Sequence, residues 1–170
     1  EEKIFSCEKA LSASLVGRYQ IVSVCGDSFR NILSDPGSKV TMDQFNKGLG
    51  FFADKIEDNV QRVPNDFYSW SELGQIYSLW SNFDSSKTGE SEKALEKALE
   101  ISSSNQAAYW ALARAKIAAG KYSEANDLAS KAIELEPRFV GSYLAAIEIA
   151  EVTGEKTLAD RRKEELSAMG

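Results

Sequence analysis

The chain has 170 residues, the apolar and charged fractions of an ordinary soluble protein, and enough acidic side chains to leave a net charge of −6. Such a surface repels phosphate backbones and anionic headgroups, which excludes nucleic acid as an expected partner, and no apolar run approaches the ~18–20 residues of a membrane span, so no direct membrane insertion is expected. Histidine is absent, which removes the commonest general base and the commonest metal ligand together and rules out a His-dependent triad.

The first 63 residues read as helical but do not repeat. Ile4, Leu11, Leu15, Tyr19, Val22 and Phe29 describe one long helix, or two separated near Gly26, and Asp35-Pro36-Gly37-Ser38 is a turn signal. Cys7 and Cys25 would stand roughly 27 Å apart in one straight helix, too far for a disulfide, whereas a break at Gly17 would bring them closer. Their redox compartment is therefore open, and two cysteines so spaced do not build a zinc site. Phe45, Leu49, Phe52, Ile56 and Val60 lie at spacings of four, three, four and four, which predicts a second helix ending before Pro64. Gly48-Leu49-Gly50 falls inside that helix, with no strand before it and no Lys-Ser/Thr after it, so it reads as helix packing rather than a phosphate cradle. The two elements are expected to pack as a hairpin over one apolar end of the C-terminal helices. The chain begins at Glu1 rather than Met, as a mature fragment or an excised piece would, and a signal or membrane segment upstream stays open. The compartment is accordingly cytoplasmic by default, or extracytoplasmic if such a segment precedes it.

From Pro64 onward the chain repeats itself with period 34. Ala98-Leu99-Glu100-Ile101 returns as Ala132-Ile133-Glu134-Leu135, Tyr109 as Tyr143, Gly120 as Gly154 and Ala125 as Ala159. The clearest copy runs over 106–139. Tyr109, Leu112, Ala113 and Ile117 form one apolar stripe, Gly120-Lys121 supplies a turn, Ala125, Leu128, Ala129, Ala132 and Ile133 form a second stripe, and Pro137 stops the second helix. An upstream copy carries Trp70, Leu73, Gly74 and Tyr77, with a second helix predicted over 91–101. Trp70 to Tyr109 spans 39 residues rather than 34, which places an insertion in the polar stretch between Ser81 and Glu90, where added chain costs little. A third copy begins near Val140 with a thin second stripe, Leu158 and Leu166, and reads as a cap that must face water.

The order Tyr109, Leu112, Ala113, Gly120, Tyr122, Ala125, Ala132, Pro137 resembles the tetratricopeptide repeat. The resemblance implies an all-α solenoid of antiparallel helix hairpins, about three repeats over 64–105, 106–139 and 140–170, following N-terminal helices over 1–63. It also implies a non-catalytic scaffold that binds a protein or peptide on its concave face. Carried over position by position, that face would be lined by Tyr68, Ser71 and Gln75, by Trp110, Arg114 and Ile117, and by Leu144, Glu148 and Glu151. Trp110 is ambiguous: it points about 100° away from Tyr109 and either packs on the next repeat or projects into the groove. The repeats that grip a chaperone's terminal carboxylate carry cations where this chain has Ser71, Gln75, Gly141 and Ala145, so that clamp is absent.

No cofactor, metal or catalytic residue is expected. No carboxylates have the spacing of a calcium loop. Glu92 with Glu96, and Glu134 with Glu136, are the nearest approach to an acid/base pair, but Glu96 follows Lys93 by three residues and Glu100 follows Lys97 by three, which describes a solvated face with local ion pairing. Two other readings stand beside the scaffold. The long helices, Pro64-Asn65-Asp66-Phe67-Tyr68 and Ala98 to Ser102 with Gln106 and Tyr109 are similar to the soluble repeat region after the membrane part of bacterial O-antigen ligase-like polymerases. Alternatively the array serves homo-oligomerisation through Trp80, Phe83 and an uncapped second-helix face.

Overall fold

The structure is a computed structural model that describes residues 41–169. The expectations for Cys7, Cys25, the Gly26 break and the Asp35–Ser38 turn lie outside those residues. Among the described residues there are seven α-helices, with a short 3-10 turn, Ser85–Lys87, and none of the helices is long and apolar enough to cross a membrane.

Helix α1, Met42–Arg62, opens on a reciprocal cap: the Gln44 N–H donates to the Thr41 hydroxyl at 3.3 Å and the Thr41 N–H donates to the Gln44 side chain at 2.9 Å. Both orphan donors are thereby satisfied. The four-three-four-four stripe is its buried face, with Phe45, Leu49, Phe52, Ile56 and Val60 all inside. Helices α2 (Phe67–Ser81) and α3 (Thr88–Ile101) form the first hairpin, α4 (Gln106–Ala118) and α5 (Tyr122–Leu135) the second, and α6 (Val140–Val152) and α7 (Lys156–Ser167) the third. Asp66 and Asn105 cap α2 and α4 by accepting the backbone N–H of Tyr68 and Ala108, whereas the equivalent Phe139 gives α6 no side-chain cap. The third repeat is thus the least defined at its start.

Each helix packs on its chain neighbour, and the first helices also touch across repeats, α2 on α4 and α4 on α6. The stack is therefore a row of hairpins with its first helices side by side. The tight turns inside the second and third hairpins need glycine. Gly120 and Gly154, one period apart, sit at φ +73° and +81°, where a Cβ is strained. The first hairpin replaces that turn with the inserted stretch: α2 ends at Ser81, Asp84 caps the 3-10 turn through the Ser86 N–H, and α3 follows at Thr88. The second helix thus begins three residues before the expected Ser91, because the 3-10 turn runs directly into it.

Three apolar clusters fill the stack. The first joins α1 to the first hairpin through Phe45, Phe52, Leu73, Ile76 and Tyr77, with Trp70 and Trp80 packed against it. The others are smaller-grained, built from Leu95, Leu112 and Ala115, and from Ala113, Ala125, Ala129, Tyr143 and Ala146. Close backbone approach is explicit at Gly74, where an added Cβ would lie 2.4 Å from the Leu95 side chain. The Ser91 hydroxyl also reaches the Gly74 carbonyl at 2.8 Å. Trp80 and Phe83, expected on an oligomerisation surface, sit at this end. The Trp80 ring stacks on Tyr77, and Phe83, although 55% exposed, meets Phe45 edge-on at 4.7 Å.

Candidate functional site: the face of the first helices

A groove of about 250 Å³ opens between α2 and α4. Gln75, Ser78, Leu79 and Asn82 line it from the α2 side, Ala111 and Arg114 from α4. Helical geometry explains the set: 75, 78, 79 and 82 are successive steps of three, one and three along one face. Gln75 is exposed and donates its amide to the Ser71 hydroxyl at 3.3 Å, while the Asn82 amide donates to the Leu79 carbonyl at 3.2 Å. The floor is a small apolar strip, and the walls are uncharged amides and hydroxyls apart from Arg114.

Arg114 and Glu148 stand one repeat apart and pair across α4 and α6 at 3.2 Å. Both side chains are more than half exposed, so the pair adds little stability. It does neutralise that part of the face. Glu151 is likewise tied to Lys163 of α7 at 2.6 Å. Gln75 and Arg114 thus share one groove, and Glu148 joins them through Arg114. Tyr68, at the start of α2, is 59% exposed with its ring edge-on to Phe67, and Leu144 on α6 is 56% exposed. Ser71 reaches the groove only through Gln75. Ile117 is half-buried against the core of the second and third hairpins.

Trp110 is half-buried, with its ring stacked on Phe139 at 6.0 Å and 14° between planes. It packs on Phe139, the last residue of its own repeat and the one that precedes α6. Its indole N–H is enclosed without an acceptor. Phe139 also folds over Gly141, where a Cβ would lie 2.7 Å from the ring, so glycine at 141 makes room for the stack. Sequence register missed Ser78, Leu79, Asn82 and Ala111. The first two follow from Gln75 at i+3 and i+4, but Asn82 belongs to the cap that the insertion created.

A second polar cluster lies on the other side of α4. Lys116 Nζ donates to Glu92 at 2.6 Å and to Glu96 at 2.9 Å, and lies 3.1 Å from Glu124, while Lys121 reaches Glu92 at 2.7 Å. The Lys116 and Glu92 side chains are only 9% and 10% exposed. This corrects the solvated-face reading of Glu92, whereas Glu96, 49% exposed, stays on the surface. Glu92 points into the stack and Glu96 pairs with a lysine of the next helix, because Lys116 occupies the place that Tyr77 holds in the first repeat. Burial pushes the Glu92 carboxyl upward, but hydrogen bonds from Lys116 and Lys121 outweigh it and hold the group below the usual carboxylate range. Burial likewise pulls Lys116 down, yet its carboxylate partners raise it well above the usual lysine value. Each charge locks the other, so neither group exchanges a proton readily near neutral pH.

Residues 83–150 match the tetratricopeptide repeat family. Among solved structures, the crystal structure of MamA superposes with a TM-score of 0.65 at 17% identity, covering 98% of this chain and 85% of that one. TTC0263, a thermophilic TPR protein of Thermus thermophilus, superposes with a TM-score of 0.62 at 13% identity, covering 99% and 90%. At such identities the likeness is one of fold. No curated protein matches the sequence. Residues 83–150 therefore belong to the tetratricopeptide repeat superfamily, and the described helices on either side continue its helical-hairpin architecture.

Proposed function

We propose that this chain is a non-catalytic scaffold that holds a protein or peptide segment along the face formed by α2, α4 and α6. The observation that carries the reading is the open groove between α2 and α4, with Gln75 and Arg114 on opposite walls. Its amides and hydroxyls suit the backbone of an extended segment, and Leu79 and Ala111 give one apolar side chain a seat. Tyr68 and Leu144, both exposed, extend the face at either end. Trp110 supports it from behind, by fixing α4 against the loop that carries Phe139. The soluble region of an O-antigen ligase-like protein and a homo-oligomer remain the other readings, and the structural features above favour neither.

The test uses groove residues that carry no core packing. Gln75→Ala with Arg114→Ala is expected to abolish co-purification of a partner held by the wild-type chain while leaving thermal melting unchanged. Undiminished capture by that variant would contradict the assignment.

A further inference from the structure

On the side of α4 away from Arg114, a second cavity of about 370 Å³ opens between α3 and α5. Its floor is apolar, made by Leu112, Leu128 and the ring of Tyr109, whose hydroxyl is anchored on the Ser103 carbonyl at 3.1 Å. Its rim is acidic: Glu96 from α3, Glu124 and Asp127 from α5. Lys116 lies at the base, but its three N–H donors are directed at Glu92, Glu96 and Glu124, which uses up an ammonium group's capacity.

The local charges do not balance. Lys116 and Lys121 face three carboxylates, Glu92, Glu96 and Glu124. Lys131, the remaining cation of the lining, is paired with Glu134 at 2.8 Å, and Asp127 has no cationic partner among the described residues. Two carboxylates are thus in excess around a pocket with an apolar floor and an aromatic wall. That combination suits a guanidinium, which is planar, weakly hydrated, and able to lie on a ring while meeting carboxylates at its edge. It repels an anionic segment.

We propose that this outer groove docks an arginine side chain of a partner segment, with flanking apolar residues seated on Leu112 and Leu128. The site is separate from the face of the first helices and does not depend on the function assigned to that face. The probe is a short, terminally blocked peptide carrying one arginine between two leucines, with its neutral citrulline counterpart, titrated into the full chain and followed by NMR. Saturable shifts are expected at Tyr109, Leu112 and Leu128 with the arginine peptide and not with the citrulline one.

Glu124→Gln with Asp127→Asn is expected to weaken binding about tenfold, the scale of two partly exposed charge contacts. Asp43→Asn with Glu164→Gln removes the same net charge elsewhere and is expected to leave affinity unchanged. If the first double variant melts early, Asp127→Asn alone, which breaks no ion pair, is expected to weaken binding about threefold by the same reasoning. Equal binding of the citrulline peptide, equal weakening by both double variants, or shifts confined to the Gln75 and Arg114 side would overturn the proposal.

Discussion

The first and second hairpins share a backbone plan and differ in what fills it. Where the first has Tyr77, hydrogen-bonded to Glu57 of α1 and overlaid by the Lys87 ammonium at 5.6 Å, the second has Lys116, bonded to Glu92 of α3. In both, a carboxylate on the preceding helix grips the same station of the next first helix. The third hairpin has Ala150 at that station. The corresponding Asn126 on α5 instead donates to Thr153 at 2.8 Å and leaves its own oxygen without a partner. The comparison teaches that one inter-repeat contact can be built from an aromatic, an ion pair or an amide. It also separates two kinds of cohesion: large rings in the first hairpin, close alanine packing plus a buried charge network in the second.

That contrast is broken most directly at Lys116. Lys116→Ala strands Glu92 with Lys121 alone and is expected to cost about 3–5 kcal/mol, by analogy with removing one partner of a buried pair. Chemical denaturation measures it, and a loss under about 1 kcal/mol would place Lys116 among surface ion pairs. Acid probes the same network with a defined sign. The Glu92 carboxyl is held below its usual value of 4.5, so its contribution is present above that pH and is lost as pH falls through the folded-state value. Hydrogen exchange should show α4 and α5 opening below about pH 4.5 before α1 and α2, and Glu92→Gln should remove the difference.

Next in size is the close approach in the first hairpin. Gly74→Ala should cost about 1–3 kcal/mol through overpacking on Leu95. A second substitution, Leu95→Val, should recover part of that loss, and additive losses would mean the two sites do not touch. The Trp110 and Phe139 stack should give a coupling of about 0.5–1.5 kcal/mol in a double-mutant cycle; zero coupling would return Trp110 to the groove. Smallest, and opposite in sign, Gly89→Ala in the first turn of α3 meets nothing within 4 Å and should stabilise by about 0.4–1 kcal/mol, read as a raised melting temperature.

Much of this was legible in the sequence because helical periodicity and turn chemistry are local. Gly120, Gly154 and Pro137 marked the hairpin ends, and Phe45 to Val60 marked α1. The polar stretch after Ser81 marked the insertion. Two features were not. Nothing local marks Lys116 as buried, so Glu92 read as surface charge although the neighbouring helix covers it with that lysine. The Trp110 and Phe139 stack joins the first helix of the second repeat to that repeat's last residue, and only the folding of the hairpin brings them together. The groove register found Gln75 and Arg114, but not the Asn82 wall that the insertion supplies.

Site-specific crosslinking tests the central claim, that a partner segment lies along the face of the first helices. A photoreactive residue placed at Gln75, and in a separate variant at Thr157 on the exposed side of α7, is irradiated in the presence of the co-purifying partner. Position 75 is expected to crosslink to one contiguous partner segment and position 157 to none. A crosslink from 157 alone would contradict the claim.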